Sequence, residues 1–150
     1  FMAITQAVCS SFKKELLDGD HSFSQSGGDT FKLALYTSSA TLNANTATYT
    51  TSQEVGASGT YSAGGKALVN TGTSVASAVA ITNFANLSFT GVTITARGAL
   101  IYNTTMGAGS GTTDAVVVLD FGSDKTATSG TFTIQFPAFT TAAAILRISG

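Results

Sequence analysis

The chain has 150 residues, which suits one domain with its own core, because a chain of this size buries about 70% of its unfolded surface without help from disulfides. Charged residues make up only 10% of it and the formal net charge is −1, so nucleic acid, whose phosphates attract strongly basic surfaces, is not expected as a partner. No apolar run approaches the roughly 20 residues of a membrane helix, so no membrane is expected as a partner either, and the single cysteine excludes an internal disulfide.

The N-terminal segment predicts one amphipathic α-helix over residues 4–17, with Gly19 as its stop. Its apolar residues recur every four positions and form a stripe: Ile4, Val8, Phe12 and Leu16. A helix of about 14 residues is marginally stable alone, so this stripe must be buried against something. We predict that residues 1–19 form a helical appendage whose stripe contacts a partner. Packing of the stripe onto the rest of the chain is the alternative.

The helix is followed by two carboxylates and the only histidine, in the order Asp18, Gly19, Asp20 and His21. Carboxylates with this spacing begin calcium loops, but Ser22 occupies the position of the third ligand and no glutamate stands at the end. The segment therefore predicts a solvated turn with His21 on the surface, and no metal site.

From residue 31 onward the apolar residues alternate, which is typical of β-strands. In the first strand Phe31, Leu33 and Leu35 alternate with other residues, which predicts one buried face. Residues 37–53 are rich in Thr, Asn and Ala and predict a long surface excursion. The predicted strands cover residues 31–36, 66–70, 78–82, 86–89, 92–96, 99–102, 115–121, 131–136 and 144–148.

Short strands separated by turn residues indicate a mainly β fold, an antiparallel β-sandwich or jelly-roll-like barrel, with the one N-terminal α-helix. We predict a single β-sandwich domain over residues 20–150. Its core is expected to include these eight side chains: Phe31, Leu33, Leu35, Val116, Val118, Phe132, Ile134 and Phe136.

The stretch GTYSAGGKA, residues 59–67, resembles a phosphate-binding loop but fails its pattern in both registers. Aligned on Gly65 and Lys66, the pattern requires a glycine where Thr60 stands and a hydroxyl where Ala67 stands. A turn between strands, with Gly64 and Gly65 at positive φ, is the better interpretation.

Catalytic patterns are weak elsewhere. The glycine-rich residues 107–111 have no strand-to-helix setting for a serine nucleophile and predict a flexible loop tip. Cys9 is expected on a buried helix face, and only one histidine exists to activate it. We therefore expect no enzymatic activity, no catalytic residues and no cofactor.

Five phrases resemble small virion structural proteins of tailed bacteriophages. They are SFKKELLDGDHSF at 11–23, DTFKLALYTSSATL at 29–42, TYSAGG at 60–65, TARGALIYN at 95–103 and LDFGSDKTATSGTFTIQFP at 119–137. The resemblance spans nearly the whole chain and carries no catalytic residues.

The resemblance implies a structural part of the particle, a capsid decoration or cement protein that binds the major capsid protein on the capsid surface. A tail, collar or fibre module that binds a receptor or glycan is the alternative. Sparse charge on a strand-rich surface favours assembly. Together with the threefold sites of icosahedral shells, it predicts a homotrimer.

Overall fold

The computed structural model describes residues 3–105 and 113–150, and it is mainly β with one short α-helix. Two antiparallel sheets contain all the strands of these residues, as a β-sandwich requires. The elements, in chain order, are β1 (Ala7–Val8), α1 (Ser10–Asp18), β2 (Phe31–Tyr36), β3 (Lys66–Ala67), β4 (Asn70–Ala76), β5 (Val79–Phe84), β6 (Leu87–Asn103), β7 (Asp114–Ile134) and β8 (Leu146–Ser149).

The large sheet has five strands in the order β1-β7-β6-β2-β3 and is built on the long antiparallel pair of β6 and β7. Five of the predicted strands are parts of these two. The sequence suggested breaks because glycine and serine interrupt the apolar pattern, but the chain continues through these positions as β-bulges. At the largest irregularity, residues 121–124 lie opposite Arg97 alone, since Ala96 pairs with Lys125 and Gly98 with Asp120.

The small sheet has three strands in the order β4-β5-β8. A two-residue turn joins β4 to β5, and both of its residues, Ser77 and Ala78, have positive φ, as the tight hairpin turn of twisted strands requires. The prediction missed β4, because residues 70–76 contain little apolar alternation, and it placed Asn70 in the preceding strand.

The prediction of a helix over residues 4–17 is wrong in its first half. The helix begins at Ser10, while Ala7 and Val8 form β1 against Val118 and Val117, and Ile4 makes a parallel bridge with Leu42. Pairing with β7 satisfies backbone groups that a helical turn would also satisfy, and the four-residue spacing does not distinguish the two. The helix ends as predicted, with Gly19 in the left-handed region at φ 85°.

The core fills both faces of the large sheet, so the expectation of one buried face for β2 is also wrong. On one face, Phe31 stacks on Phe23 at 4.5 Å between ring centroids and meets Phe84 of the small sheet. On the other face, Tyr102 of β6 stacks on Tyr49 at 4.7 Å. All eight predicted core side chains are buried.

Tyr49 belongs to the segment 37–53, which is not simply a surface excursion. Ala40 and Leu42 within it are 1% exposed and belong to the core cluster. The segment therefore covers the second face of the large sheet. Low apolar content hid this role, because small residues and tyrosine form much of the contact.

Candidate functional site

An apolar groove of about 280 Å³ lies between α1 and the small sheet. Three of the four predicted partner-contact residues line it, namely Val8, Phe12 and Leu16. Phe12 is buried and forms the floor with Phe23, while Val8 and Leu16 are partly exposed. The stripe therefore borders an open groove, but only its second half, Phe12 and Leu16, lies on α1.

Ile4, the fourth residue of the stripe, lies elsewhere. It is 8% exposed and belongs to the core cluster. It packs against Gly98, where a Cβ would lie only 3.0 Å from the Ile4 side chain. Ile4 is thus covered by the chain's own core. Whether residues 1–19 fold separately from the β-domain stays a prediction. Ile4, Cys9 and Phe12 belong to the same buried core cluster as residues of the strands.

The small sheet supplies the opposite wall of the groove and extends its apolar surface. Ala80 of β5 and Ile148 of β8 line the groove and pair directly across the two strands. Val75 of β4 pairs with Ala80 on its other side, so the three side chains share one face. Val75 is 70% exposed and Ile148 is 59% exposed. An apolar strip thus runs from the groove to the edge at β4.

Both charged residues among those that line this groove are basic. Lys13 lies on α1 and Arg147 on β8, and both are exposed. The Nη1 of Arg147 donates to the carbonyl oxygen of Ala142 at 3.0 Å, which holds the guanidinium in place. The groove therefore combines an apolar interior with two positive charges among its lining residues: the Arg147 guanidinium, held in place, and the Lys13 side chain.

A second, larger groove of about 600 Å³ runs along β7. Its residues are more polar and include Gln6, Asp120 and Gln135 beside the partly exposed ring of Phe121. Asp120 accepts a hydrogen bond from the Nε of Arg97 at 2.9 Å and another from the backbone N–H of Gly122 at 2.8 Å. The Gly122 N–H, followed by the Arg97 guanidinium, lowers the pKa of Asp120.

The prediction that His21 is a surface residue is wrong. Its side chain is fully buried, with Phe12 at 4.8 Å between ring centroids, and both ring nitrogens have partners. The Nε2 lies 2.7 Å from Oε2 of Glu15, and the Nδ1 lies 2.9 Å from the amide nitrogen of Asn103. The sequence did not indicate this because Asn103 is far from His21 along the chain.

The hydrogen bonds of Asn103 fix the tautomer of His21. The amide oxygen accepts from the backbone N–H of Thr105 at 2.8 Å, and the amide nitrogen donates to Asp29 at 2.7 Å as well as to His21. The Nδ1 of His21 must therefore accept, and its proton lies on Nε2 and is donated to Glu15. The cluster joins α1, the following loop and β6, which favours a structural role.

A second polar cluster surrounds Glu54 and includes all four tyrosines of the chain. The Glu54 carboxylate accepts hydrogen bonds from the hydroxyls of Tyr49 at 2.6 Å and Tyr61 at 2.7 Å. It also accepts one from the backbone N–H of Gly64 at 2.7 Å, while the hydroxyl of Tyr102 donates to the Gly64 carbonyl at 2.6 Å. Sequence reasoning missed this cluster, although Glu54 is the only acidic residue between Asp29 and Asp114.

Burial, followed by the Glu54 carboxylate, raises the pKa of Tyr102 to about 12. Burial is also the largest of the effects that raise the pKa of the other three phenols, Tyr36, Tyr49 and Tyr61. The phenols therefore keep their protons and donate hydrogen bonds. The arrangement anchors the excursion and the glycine turn to the large sheet.

The glycine turn at Gly64 and Gly65 has positive φ at both residues, as predicted. The Gly64 N–H already donates to a carboxylate, which is an unfavourable setting for a phosphate because two anions would repel each other. A Cβ on Gly65 would lie 1.7 Å from the carbonyl oxygen of Leu33. The glycine is therefore required by close packing against β2.

Other expectations concern single residues. Cys9 is fully buried but precedes α1 as its N-cap, rather than lying on a face of the helix as predicted, and burial followed by the Glu15 charge raises the pKa of its thiol to about 11. The predicted loop tip at 107–111 lies outside the described residues. Within residues 3–105 and 113–150, no group of three or more His, Cys, Asp or Glu side chains is placed to hold a metal ion. No helix in those ranges is long and apolar enough to cross a membrane.

Comparison of the chain with protein-family models, with curated proteins and with solved structures finds no match in any of the three.

Proposed function

We propose that this protein is a non-enzymatic structural protein of a tailed-phage virion, a decoration or cement protein that binds the major capsid protein on the capsid surface. The proposal starts from the phrases that resemble such proteins. The observation that carries it further is the apolar groove between α1 and the small sheet, with its apolar strip extending to β4.

The groove has the properties of a docking surface for a protein segment. Its walls come from two rigid elements, a helix and a sheet, so the surface exists before a partner arrives. Apolar side chains such as Leu16 and Ile148 stay partly or largely exposed there. The chemistry that fits is an apolar segment of the capsid protein with an acidic side chain near Lys13 or Arg147.

A capsid offers many identical sites, and this suits a small groove. One contact of this size is weak, but two or more contacts made by an oligomer on a lattice add their effects through effective concentration. Binding only to the mature shell then shifts the equilibrium away from disassembly. The predicted homotrimer would supply three such contacts.

A non-enzymatic role is supported by the two polar clusters. The imidazole of His21 is engaged at both nitrogens, by a carboxylate and an amide. The carboxylate of Glu54 is engaged by two phenols and a backbone amide. The polar atoms of these groups already bond within the fold, which supports the proposed non-enzymatic role.

The second candidate function is a tail, collar or fibre module that binds a receptor or glycan. The groove along β7 favours it, because amide and carboxylate groups beside the Phe121 ring are what a sugar ring requires. The tight pairing of Asp120 with Arg97 and Gly122 leaves that groove with fewer free polar groups, which favours the capsid function.

Counting copies in purified particles distinguishes the two functions. A decoration protein is expected in hundreds of copies per particle, and a tail or fibre module in tens, both rough orders of magnitude set by lattice symmetry. Quantitative mass spectrometry against the major capsid protein gives this number. A count in the tens would reject the capsid function, and absence from purified particles would reject both.

A further inference from the structure

The exposed edges of the two sheets are protected to very different degrees. The outer strands of the large sheet, β1 and β3, have only two residues each. The loop at Thr60 covers part of β6, because the Thr60 N–H donates to the Thr90 carbonyl and the Thr90 N–H donates to the Thr60 hydroxyl. The β8 edge of the small sheet carries the charge of Arg147. Short strands, covering loops and charges are the usual protections against edge pairing.

The edge at β4 has little of this protection. Its seven residues, NTGTSVA, contain no charge and no proline, and the uncharged stretch continues from residue 67 to residue 96. The loop before β2 covers its first part, since the Asn70 side chain donates to the Ser24 carbonyl and Gly72 lies against Gln25. Residues 73–76 are exposed and pair with β5 in regular register.

The turn at Ser77 and Ala78 determines which backbone groups face outward. Ala76 and Val79 flank a two-residue turn and are paired, so they form a hydrogen-bonded pair of the hairpin. Because hydrogen-bonded and non-hydrogen-bonded pairs alternate in antiparallel ladders, the N–H and C=O groups of Val75 and Thr73 point away from β5. No bond from the rest of the described chain, residues 3–105 and 113–150, reaches them, so they form an outward ladder of two donors and two acceptors.

We propose that this edge pairs with the same edge of a second copy of the chain. The two β4 strands run antiparallel about a twofold axis at Ser74, with Thr73 opposite Val75 of the partner subunit. This register uses all four outward groups of each strand and forms four backbone hydrogen bonds. The two small sheets become one continuous six-stranded sheet.

The register follows from what borders the exposed segment. A shift in one direction would bring Thr71 and Gly72 into the pairing, where the loop at Gln25 blocks the edge. A shift in the other direction would run into the turn at Ser77 and Ala78. The Ser74-centred register is the one that keeps every hydrogen bond within residues 73–76.

The side chains are compatible with pairing to a second copy because β4 carries no charge that would face a like charge. Val75 would lie beside Thr73 of the partner subunit on the apolar face, and the two Ser74 side chains would meet at the axis. The nearest charge on these strands is Arg147 of β8, and five strand spacings of about 4.8 Å would separate it from Arg147 of the partner subunit, roughly 24 Å in all. A highly charged foreign strand would find no complementary charge on β4.

Twofold pairing of this kind closes a dimer, because the same edge is used on both copies. The predicted trimer would therefore need a different surface. The two associations can be measured separately.

Sedimentation velocity over a rising concentration series, combined with hydrogen exchange resolved by residue, tests the pairing without any capsid. We expect a dimer whose share rises with concentration. The amides of Thr73 and Val75 should exchange about ten times more slowly when nine-tenths of the chain is dimeric. The amides of Ser74 and Ala76, which already bond to β5, should be protected at every concentration.

Val75→Lys should weaken the dimer at least tenfold, because it places two like charges near the axis. Ile148→Lys adds the same charge on the same face but at the other edge, and should leave the dimer intact. Melting curves establish that both variants are folded, and the wild-type exchange result stands without them.

Three outcomes would overturn the proposal. They are a chain that stays monomeric with fast exchange at Thr73 and Val75, a dimer that Val75→Lys does not weaken, and an oligomer in which those two amides stay unprotected. Protection of the two amides only after capsids are added would also overturn it, since the occupant of the edge would then be a strand of another protein.

Discussion

The two sheets differ in what their apolar residues do. In the large sheet, apolar side chains such as Leu100 and Val118 are fully buried, and its edges are short or covered. In the small sheet, Val75 and Ile148 are largely exposed, and residues 73–76 of the β4 edge pair with no further strand among the described residues. The comparison indicates that the large sheet buries its apolar residues in the core, whereas the small sheet buries Phe84 and Leu146 but leaves apolar side chains at its outer strands exposed.

Removal of residues 1–19 should have the largest effect. Truncation would delete β1 from the large sheet and remove Ile4, Cys9 and Phe12 from the core cluster. Phe12 alone is worth about 3–5 kcal/mol if replaced by Ala. We expect circular dichroism melting of the truncated chain to lose its cooperative transition. A cooperatively melting truncated chain would show instead that these residues are an appendage of the predicted kind.

The second largest expected difference is between two alanine substitutions, one in each sheet, in the free energy of unfolding. Leu100→Ala creates a cavity in the large sheet and should lower the free energy of unfolding by about 2–5 kcal/mol. Ile148→Ala removes a side chain that is 59% exposed and should change it by about 0.5 kcal/mol or less. Chemical denaturation measures both. Equal losses would mean that the small sheet is as important for the fold as the large one.

Two glycines with positive φ provide a sharper test of packing in the large sheet. Gly65→Ala forces a Cβ against the Leu33 carbonyl, whereas Gly122→Ala, in the bulge of β7, meets no atom within 4 Å. Both substitutions carry the cost of positive φ, so their difference reports the clash. We expect Gly65→Ala to cost roughly 1–3 kcal/mol more in denaturant unfolding. Equal costs would show that the turn can move away from β2.

Alkaline titration tests the Glu54 cluster, which contains every tyrosine. Each phenol has a pKa above its usual value of about 10 in the native chain, Tyr102 at about 12. Between pH about 10 and the native pKa values, native phenols keep protons that unfolded phenols have lost. The stability that the buried phenols contribute is therefore complete below pH about 10 and is lost as the pH rises through the native pKa values.

Ultraviolet absorbance of phenolate reports this directly. In the native chain it should stay flat well past pH 10 and rise only toward pH 12 and above, whereas the chain in denaturant should titrate near 10. Full ionisation near pH 10 without loss of the far-ultraviolet circular dichroism signal would contradict the buried cluster.

The sequence predicted the fold class because side-chain alternation is a local property. The alternation at residues 31–36 and 131–136 identified core residues that are all buried. It did not predict that β6 and β7 are continuous, because glycines such as Gly91 and Gly122 look the same in a turn and in a bulge. It also did not predict β1, since pairing of Ala7 with Val118 depends on residues far apart in the chain.

The candidate site was predicted only in part, for the same reason. The stripe predicted partner contacts at Phe12 and Leu16, and helical periodicity, which is local, places both beside the groove. Their contact with a partner stays a prediction. The opposite wall at Ala80 and Ile148 depends on how the small sheet packs against α1. No local pattern reports that contact.

Binding to capsids that lack this protein tests the central claim, that the groove and the small sheet form the attachment surface. Wild type, Ile148→Glu and Leu17→Glu are compared by cosedimentation, with melting curves to establish that all three are folded. Leu17 is the matched control, because it is 90% exposed on α1 and does not line the groove. We predict that Ile148→Glu weakens binding at least tenfold, about 1.4 kcal/mol, while Leu17→Glu binds like wild type. Equal binding of the two variants, or no binding of the wild type, would contradict the account.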